Sequence, residues 1–204
     1  MSETLSKEIE LRITNIVIKN KDFLEKLASK MKKNVLNHYR TYETKLLYSI
    51  QTDTEKNLNM QVIKLYLQYD ETNSPNQASI NFDPNGFTLY RNNRERTPRF
   101  IDCKIAVIED DSKIRSIPSL LFTIQKKIED YDQLVNNVVS IREELRNILA
   151  NSLFDLILEG FENLKDNLIF SEAFSLSESF DRYENNKFTL FSSEIEINME
   201  LKVF

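Results

Sequence analysis

Hydrophobic and polar residues alternate most strictly at the C-terminal end of the chain. Within 188–204, five apolar residues occupy every second position: Ile195, Ile197, Met199, Leu201 and Val203. Polar residues fill the positions between them, which is the pattern of a strand with one buried and one solvent-facing side. Such a strand either completes the protein's own sheet or pairs with the sheet edge of another subunit, and the sequence leaves both possibilities open.

Three further segments carry strand patterns. They cover 9–18, 59–69 and 100–109, and each alternates apolar with polar residues or is rich in β-branched and aromatic residues. The segment 9–18 also fits a helical period. In 59–69 both faces carry apolar residues, which predicts a strand in the interior of a sheet rather than at its edge.

Helical periodicity fills two other regions. Asp22 and Glu25 have the spacing of a capping box, and the apolar stripe after them predicts a helix that continues to about Ser49. The second region opens near Pro118, and apolar residues then recur at steps of three and four to about Ile157. This region predicts one long helix, or two helices separated by a kink.

The clearest turn signal is the run Asp83-Pro84-Asn85-Gly86 between two apolar segments, 78–82 and 87–90. Proline presets its own φ, and glycine adopts a positive φ at little cost. The run therefore predicts the turn of a β-hairpin.

Strands and helices occupy separate stretches of the chain in this pattern. We therefore expect an α+β fold with a mixed or mainly antiparallel sheet of about five to six strands. Two main helical regions, one of them long, would pack against this sheet. The 204 residues carry no linker, repeat or low-complexity tract, so we expect a single domain over 1–204.

The composition lacks the residues on which most recognisable catalytic and metal-binding motifs depend. The chain has two glycines, one histidine and one cysteine, whereas phosphate-binding loops, triads and most metal sites need several such residues. We therefore expect no cofactor and no metal. A net charge of -5 argues against a uniformly basic nucleic-acid coat. No apolar run approaches the roughly 20 residues of a membrane span, so no membrane partner is expected.

Two groups of basic residues form a candidate surface for binding anions or a partner. The first group lies in the expected loop after the turn: Arg91, Arg94, Arg96 and Arg99. The second lies on one side of the first expected helix: Lys26, Lys30, Lys33 and Arg40. Guanidinium groups bind phosphates and carboxylates in bidentate fashion, so nucleic acid or an acidic neighbour would suit this surface. The alternative is an ordinary solvated loop and helix face.

The sequence Ile101-Asp102-Cys103-Lys104-Ile105 places an acid and a lysine on one face of a strand. With its flanking elements, it resembles the PD-(D/E)xK nucleases. The resemblance implies that Asp83 and Asp102 would hold Mg²⁺ and that Lys104 would activate or orient a water molecule. The alternative is an amphipathic strand with an exposed acid–lysine pair; the same pattern recurs at 199–203, where no helix follows.

The order of the expected elements, from a short first strand to the final strand–helix–strand, resembles phage tail-completion and head–tail joining proteins. The resemblance implies a non-enzymatic subunit of the virion tail, neck or connector. Such a subunit would bind copies of itself and neighbouring virion proteins through strand edges and helix packing, and form a ring. It would reside in the virion and, before assembly, in the host cytoplasm. The alternatives are the Mg²⁺-dependent nuclease and a small host-interaction or anti-defence binding protein.

Overall fold

The computed structural model divides the chain into two compact units. The first unit comprises Met1–Thr44, Lys64–Thr97 and Ser179–Phe204, and the second comprises Lys45–Ile63 and Pro98–Glu178. The structure describes residues 7–32, 42–55, 59–69, 73–82, 85–92, 96–109, 126, 152–159, 167–177 and 186–204.

The described residues form nine strands together with helical segments. The strands are β1 (Ile9–Ile18), β2 (Tyr42–Thr52), β3 (Asn59–Tyr69), β4 (Ala78–Asn81), β5 (Phe87–Arg91), β6 (Phe100–Glu109), β7 (Asn167–Ser177), β8 (Asn186–Phe191) and β9 (Ile195–Val203). The helices are α1 (Lys21–Lys32) and α2 (152–159). The α+β class is therefore confirmed, and the expected five to six strands were too few.

The sheet of the first unit has the strand order β3-β4-β1-β9-β8, and β5 also pairs with β1. Strands β1 and β9 pair antiparallel along nearly their whole length. Their apolar residues share one face and are fully buried, which confirms the alternation that predicted both strands: Ile9, Leu11, Ile13, Ile16, Ile18, Ile195, Ile197, Met199 and Leu201. Phe23, Leu24 and Leu27 of α1 are also buried.

The sheet of the second unit has the order β7-β6-β2-β3, and β6 and β7 pair antiparallel. Helix α2 contributes Phe154 and Ile157 to an apolar cluster with Leu47 of β2 and Ala106 of β6. Met60 and Ile108 complete the buried part of this cluster. Because these sheet residues share one face, α2 covers that part of the sheet.

The first predicted helix is wrong in its start and its length. Asn20 rather than Asp22 caps it, since the Asn20 side-chain oxygen accepts a hydrogen bond from Phe23 N at 2.8 Å. The described part of the helix ends at Lys32, and strand β2 begins at Tyr42. Both faces of β2 are buried from Thr44 to Ile50, and the apolar residues Leu46 and Leu47 are adjacent, so apolar and polar residues do not alternate along the whole strand. The predicted long helix lies mostly outside the described residues, apart from Lys126 and α2, which are helical.

The predicted hairpin is also wrong, although its turn residue is correct. Gly86 has φ +75° and its N–H donates to Phe82 O at 3.1 Å. However, β4 and β5 do not reverse direction, because both pair antiparallel with β1, one after the other. Asn81 lies opposite Asn15 and Phe87 lies opposite Ile13, so β4 and β5 are two parts of one interrupted strand along the same edge of β1.

Two other strand predictions are resolved by the sheet order. Strand β3 lies beside β4 in the first unit and beside β2 in the second, which confirms its interior position. The C-terminal strand β9 lies between β1 and β8, so it completes the protein's own sheet. Strand β7 had no counterpart among the sequence predictions. No helix in the described parts of the chain is long and apolar enough to cross a membrane.

Candidate functional sites

Asp102 and Lys104 lie on one face of β6, as the period of the strand predicts. Both side chains are half-buried, while Ile101, Cys103 and Ile105 on the opposite face are buried. Asp83, the third residue of the nuclease resemblance, lies outside the described residues. Elsewhere in the described chain, no group of three histidine, cysteine or acidic side chains is placed to hold a metal ion. The nuclease reading therefore stays a prediction.

Lys104 is held by helix α2. Its Nζ lies 3.2 Å from Asp155 Oδ1 and 5.3 Å from the centre of the Phe154 ring. The first contact is an ion pair and the second is a cation–π contact, and both direct the ammonium group towards the helix that covers this face. Lys104 thus has a structural role in joining β6 to α2.

Neither the buried thiol nor the buried phenol beside this face is ionised at neutral pH. Burial raises the pKa of the Cys103 thiol, and the neighbouring Asp102 carboxylate raises it further. Burial also raises the pKa of Tyr48 to about 12, with a smaller contribution from Cys103. Cys103 therefore packs as a small apolar residue rather than as a nucleophile.

The structure describes three of the four arginines of the expected loop: Arg91, Arg96 and Arg99. Arg91 belongs to β5, and its Nε donates to Glu8 Oε1 at 2.5 Å. Arg96 is exposed in the first unit, whereas Arg99 belongs to the second unit. Arg94 lies outside the described residues. Among the described arginines, Arg91 and Arg99 are thus paired with acids of the same chain, Glu8 and Asp53.

Arg99 and Asp53 form a two-point contact. The backbone N of Arg99 donates to Asp53 Oδ1 at 2.7 Å, and its Nε donates to Asp53 Oδ2 at 2.8 Å. The Asp53 side chain is 1% exposed, and the Arg99 side chain is 71% exposed. Burial alone would raise the pKa of Asp53, but the hydrogen bonds and charge of Arg99 outweigh it and lower the pKa.

The lysine group is only partly described. Lys26 is exposed on α1, and Lys30 lies in the same helix. Lys33 and Arg40 lie outside the described residues. The proposed basic surface on this helix therefore stays a prediction.

Sequence reasoning missed a buried polar face in the first unit. Glu10 and Arg12 of β1, and Glu8 just before it, are all buried on the side opposite the isoleucines of β1. Arg12 Nη2 lies 3.4 Å from Glu10 Oε2, and its Nε lies 3.5 Å from Glu200 Oε2. The alternation of apolar and polar residues along β1 places these charged residues on one face, but charged residues on a strand face are normally expected to be exposed to solvent.

The side chain of Asn92, at the start of the predicted arginine loop, is held by hydrogen bonds to the backbone. Its Oδ1 accepts a hydrogen bond from Ile9 N at 2.5 Å, and its Nδ2 donates to the carbonyl oxygens of Lys7 and Arg96 at 3.0 and 3.1 Å. Asn92 is buried, so these bonds satisfy an otherwise costly amide group. The Asn92 side chain therefore joins Lys7, Ile9 and Arg96 within the first unit.

A pocket of about 310 Å³ opens in the second unit on the face that carries Asp102 and Lys104. Ser49 and Gln51 of β2, residues 102–104 of β6 and residues 173–175 of β7 line it. Gln51 Nε2 is buried and has no hydrogen-bond partner among the described residues. Sequence reasoning missed this pocket because β2 and β7 were not predicted as strands.

Along the main strand order of the described residues, the two end strands are β8 in the first unit and β7 in the second, while β5 lies off this order and pairs only with β1. Strand β8 pairs with β9 over six consecutive residues without a shift in register. Strand β7 pairs with β6 with a shift between Val107 and Ile108, which is the signature of a bulge. Phe191 at the end of β8 is 74% exposed. Bulges protect sheet edges from further pairing, so β8 is the less protected edge.

No protein-family model matches the chain, and no curated protein sequence matches it.

Proposed function

We propose that the chain is a non-enzymatic structural subunit of a phage virion and that it assembles with copies of itself through the edge of β8. The observation that carries this proposal is that no described strand pairs with the outer edge of β8. It offers six residues in unbroken register and ends in an aromatic side chain that is 74% exposed. Flat edges with exposed apolar residues are ordinarily blocked by charges, bulges or proline unless they are used.

The sequence of β8 suits antiparallel pairing with a second copy. With Thr189 on the two-fold axis, Lys187 of one copy would lie opposite Phe191 of the other, and Phe188 would lie opposite Leu190. The first pair brings an ammonium group to an aromatic ring, and the second brings two apolar side chains together on the other face. The two central threonines would face each other. Each cross-strand pair contributes only about 0.2–1 kcal/mol, so assembly would depend on concentration.

The candidate catalytic and binding residues support a structural function. The ammonium group of Lys104 is engaged by Asp155, and the guanidinium groups of Arg91 and Arg99 are engaged by Glu8 and Asp53. These cations hold the fold together within each unit. The anti-defence and nucleic-acid readings of the arginine loop gain no support from such contacts.

A ring needs more than this one contact. Pairing of β8 with β8 is isologous and closes a dimer, whereas a ring requires a second, different surface on each subunit. The edge of β7, with Leu168 40% exposed, is a second strand edge among the described residues. The ring and the virion location are both part of this proposal. The element order that suggested them was the one predicted from the sequence. The observed order differs from it, because the hairpin is absent and the strands β2 and β7 are present in addition.

Cysteine cross-linking tests the β8 pairing. A Thr189→Cys variant places an exposed thiol at the expected two-fold axis, and Cys103 does not compete because it is buried. We expect mild oxidation to yield a disulfide-linked dimer. Ser193→Cys is the matched control, since Ser193 is exposed in the turn beyond β8 and would lie far from its counterpart. Equal cross-linking of the two variants, or none in either, would contradict the proposed register.

Mass spectrometry of purified particles of the source virus tests the location. A fixed number of copies in each particle supports a virion subunit. Absence of the chain from the particle contradicts one.

A further inference from the structure

We propose that the pocket in the second unit binds a free amino acid, with the ligand's ammonium group at Asp102 and its carboxylate at Gln51 and Lys104. The site does not involve β8, so the test of ligand binding is independent of the test of the proposed assembly. There the described residues combine a cavity of ligand size with a buried polar group that lacks a partner.

The polar face of the sheet explains why a pocket forms there. Residues Leu47, Ser49 and Gln51 alternate along one face of β2, and Asp102, Lys104 and Ala106 alternate along the matching face of β6. Helix α2 covers the apolar end of this face, where Leu47 and Ala106 lie. The polar end, with Ser49, Gln51 and Asp102, is left to line the cavity.

Asp102 supplies the acceptor for a cationic group. Its carboxylate is half-buried and lines the pocket, and no hydrogen bond or ion pair from another described residue engages it. Lys104 is its nearest cation along the strand, but that ammonium group lies 3.2 Å from Asp155 instead. An ammonium group of the ligand would therefore pair with the Asp102 carboxylate, which no described residue engages.

Gln51 and Lys104 supply donors for an anionic group. Gln51 Nε2 is a buried donor without a partner, which is a costly state for an amide N–H. The ammonium group of Lys104 has three N–H bonds, and its contact with Asp155 leaves others for a ligand. Two donors suit the two oxygens of a carboxylate, and Ser49 and Ser175 also line the cavity with their hydroxyl-bearing side chains.

Size and charge together select the ligand class. Asp102 and Lys104 stand two residues apart on one strand, which separates their Cα atoms by about 6.6–6.8 Å. A zwitterion whose ammonium and carboxylate groups share one carbon atom can span the two side chains. A simple amine would leave Gln51 Nε2 without a partner, and a simple carboxylate would leave Asp102 without one.

Binding is measured with the full-length chain by isothermal titration calorimetry. The probes are each of the common L-amino acids, and for every one that binds, its N-acetyl and methyl ester derivatives. We expect at least one amino acid to bind with a Kd of about 1 mM or tighter. Its N-acetyl and methyl ester forms should bind at least about tenfold more weakly, because each lacks one of the two charges.

Three variants localise the binding. Asp102→Asn removes the charge that would bind the ammonium group, and it should weaken binding about tenfold. Gln51→Met should weaken binding too, yet raise the Tm of the ligand-free protein, because it removes a buried donor that has no partner. Glu172→Gln is the control: Glu172 lies opposite Ile105, on the other face of the sheet, and its loss of charge should leave the Kd unchanged.

Three results would overturn the proposal. The first is that no amino acid produces a heat of binding. The second is that the methyl ester or the N-acetyl form binds as tightly as the free amino acid. The third is that Asp102→Asn and Gln51→Met both retain the wild-type Kd.

Discussion

Lys104 and Asp155 form an ion pair between β6 and α2, with Nζ 3.2 Å from Oδ1. The same ammonium group lies 5.3 Å from the centre of the neighbouring Phe154 ring. A lysine that activates water at a metal site must direct its ammonium group to that water. Lys104 is directed to the helix instead, and this contact favours a structural interpretation of the acid–lysine pattern in β6.

The first prediction concerns nuclease activity. We expect the wild-type chain with Mg²⁺ to cleave plasmid DNA no faster than the Lys104→Met variant, which keeps the length of the side chain. Gel electrophoresis of supercoiled plasmid over time measures the cleavage. Wild-type cleavage that is lost in both Lys104→Met and Asp102→Ala, with the fold intact by circular dichroism, would establish the nuclease reading instead.

The second prediction concerns Gly86 in the loop between β4 and β5. A Cβ on this residue would lie 2.7 Å from the carbonyl oxygen of Ile13, and its φ of +75° disfavours other residues. Gly86→Ala should therefore lower the free energy of unfolding by roughly 2 kcal/mol, measured by urea denaturation. Asn76→Ala, in another exposed turn, is the control and should change it by less than about 0.5 kcal/mol. Equal stability of the two variants would contradict the geometry of this loop.

The third prediction concerns the buried charges of β1. Arg12 lies between Glu10 and Glu200, and its Nη1 also donates to Asn85 O. Removal of the guanidinium group in Arg12→Ala would leave the buried Glu10 carboxylate without its cation and Glu200 with only the partly exposed Lys202. We expect a loss of about 3 kcal/mol in the free energy of unfolding.

Lys202→Ala is the control for that measurement. Lys202 also pairs with Glu200, at 3.7 Å, but its side chain is 30% exposed. Its removal should cost less than about 1 kcal/mol. If Arg12→Ala is no more destabilising than Lys202→Ala, the ion pairs of Arg12 with Glu10 and Glu200 do not contribute to the stability of the first unit.

The fourth prediction concerns pH and the pair of Asp53 and Arg99. Since the pKa of Asp53 is lowered in the folded state, the pair stabilises the protein above the unfolded pKa of about 3.9. That contribution is lost as the pH falls through the folded pKa. Arg99→Gln should lower the free energy of unfolding by only about 1 kcal/mol at pH 7, because solvent screens the exposed guanidinium group.

The difference between wild type and Arg99→Gln should disappear when Asp53 is protonated. Urea denaturation at a series of pH values measures it. Asp53→Asn is the control, since without a titrating carboxylate the Arg99→Gln substitution should have an effect that is independent of pH. A difference that grows as the pH falls would contradict the assigned direction.

Strands with one dry face could be predicted from the sequence because their pattern is local. The apolar alternation in β1, β6 and β9 follows from the period of a strand. Burial alternates in the same way in β9, whereas consecutive positions are buried in the first half of β1 and the second half of β6. Strand β2 escaped prediction because both of its faces are covered, so Lys45 and Ser49 are buried beside Leu46 and Tyr48. Its residues then continue the helical stripe that begins in α1.

Long-range pairing decided the features that the sequence could not predict. The run at Gly86 has the residues of a hairpin turn, but the choice between reversing and continuing depends on β1, about 70 residues away, which offers one edge to both β4 and β5. The pocket depends on β2, β6 and β7 lying side by side. Asp102 and Lys104 were identified from their spacing, whereas Gln51 gave no signal until its neighbours were known.

The mass of the protein in solution tests the central claim, assembly through β8, most directly. Light scattering across a concentration series should show the wild-type chain passing from monomer to a discrete oligomer. Phe191→Lys should remain monomeric at the same concentrations, because it places a charge at the open edge. Phe204→Lys should assemble like wild type, since Phe204 is 61% exposed but follows β9, which is paired on both sides. A wild-type chain that is monomeric throughout, or equal assembly of the Phe191→Lys variant, would contradict the account.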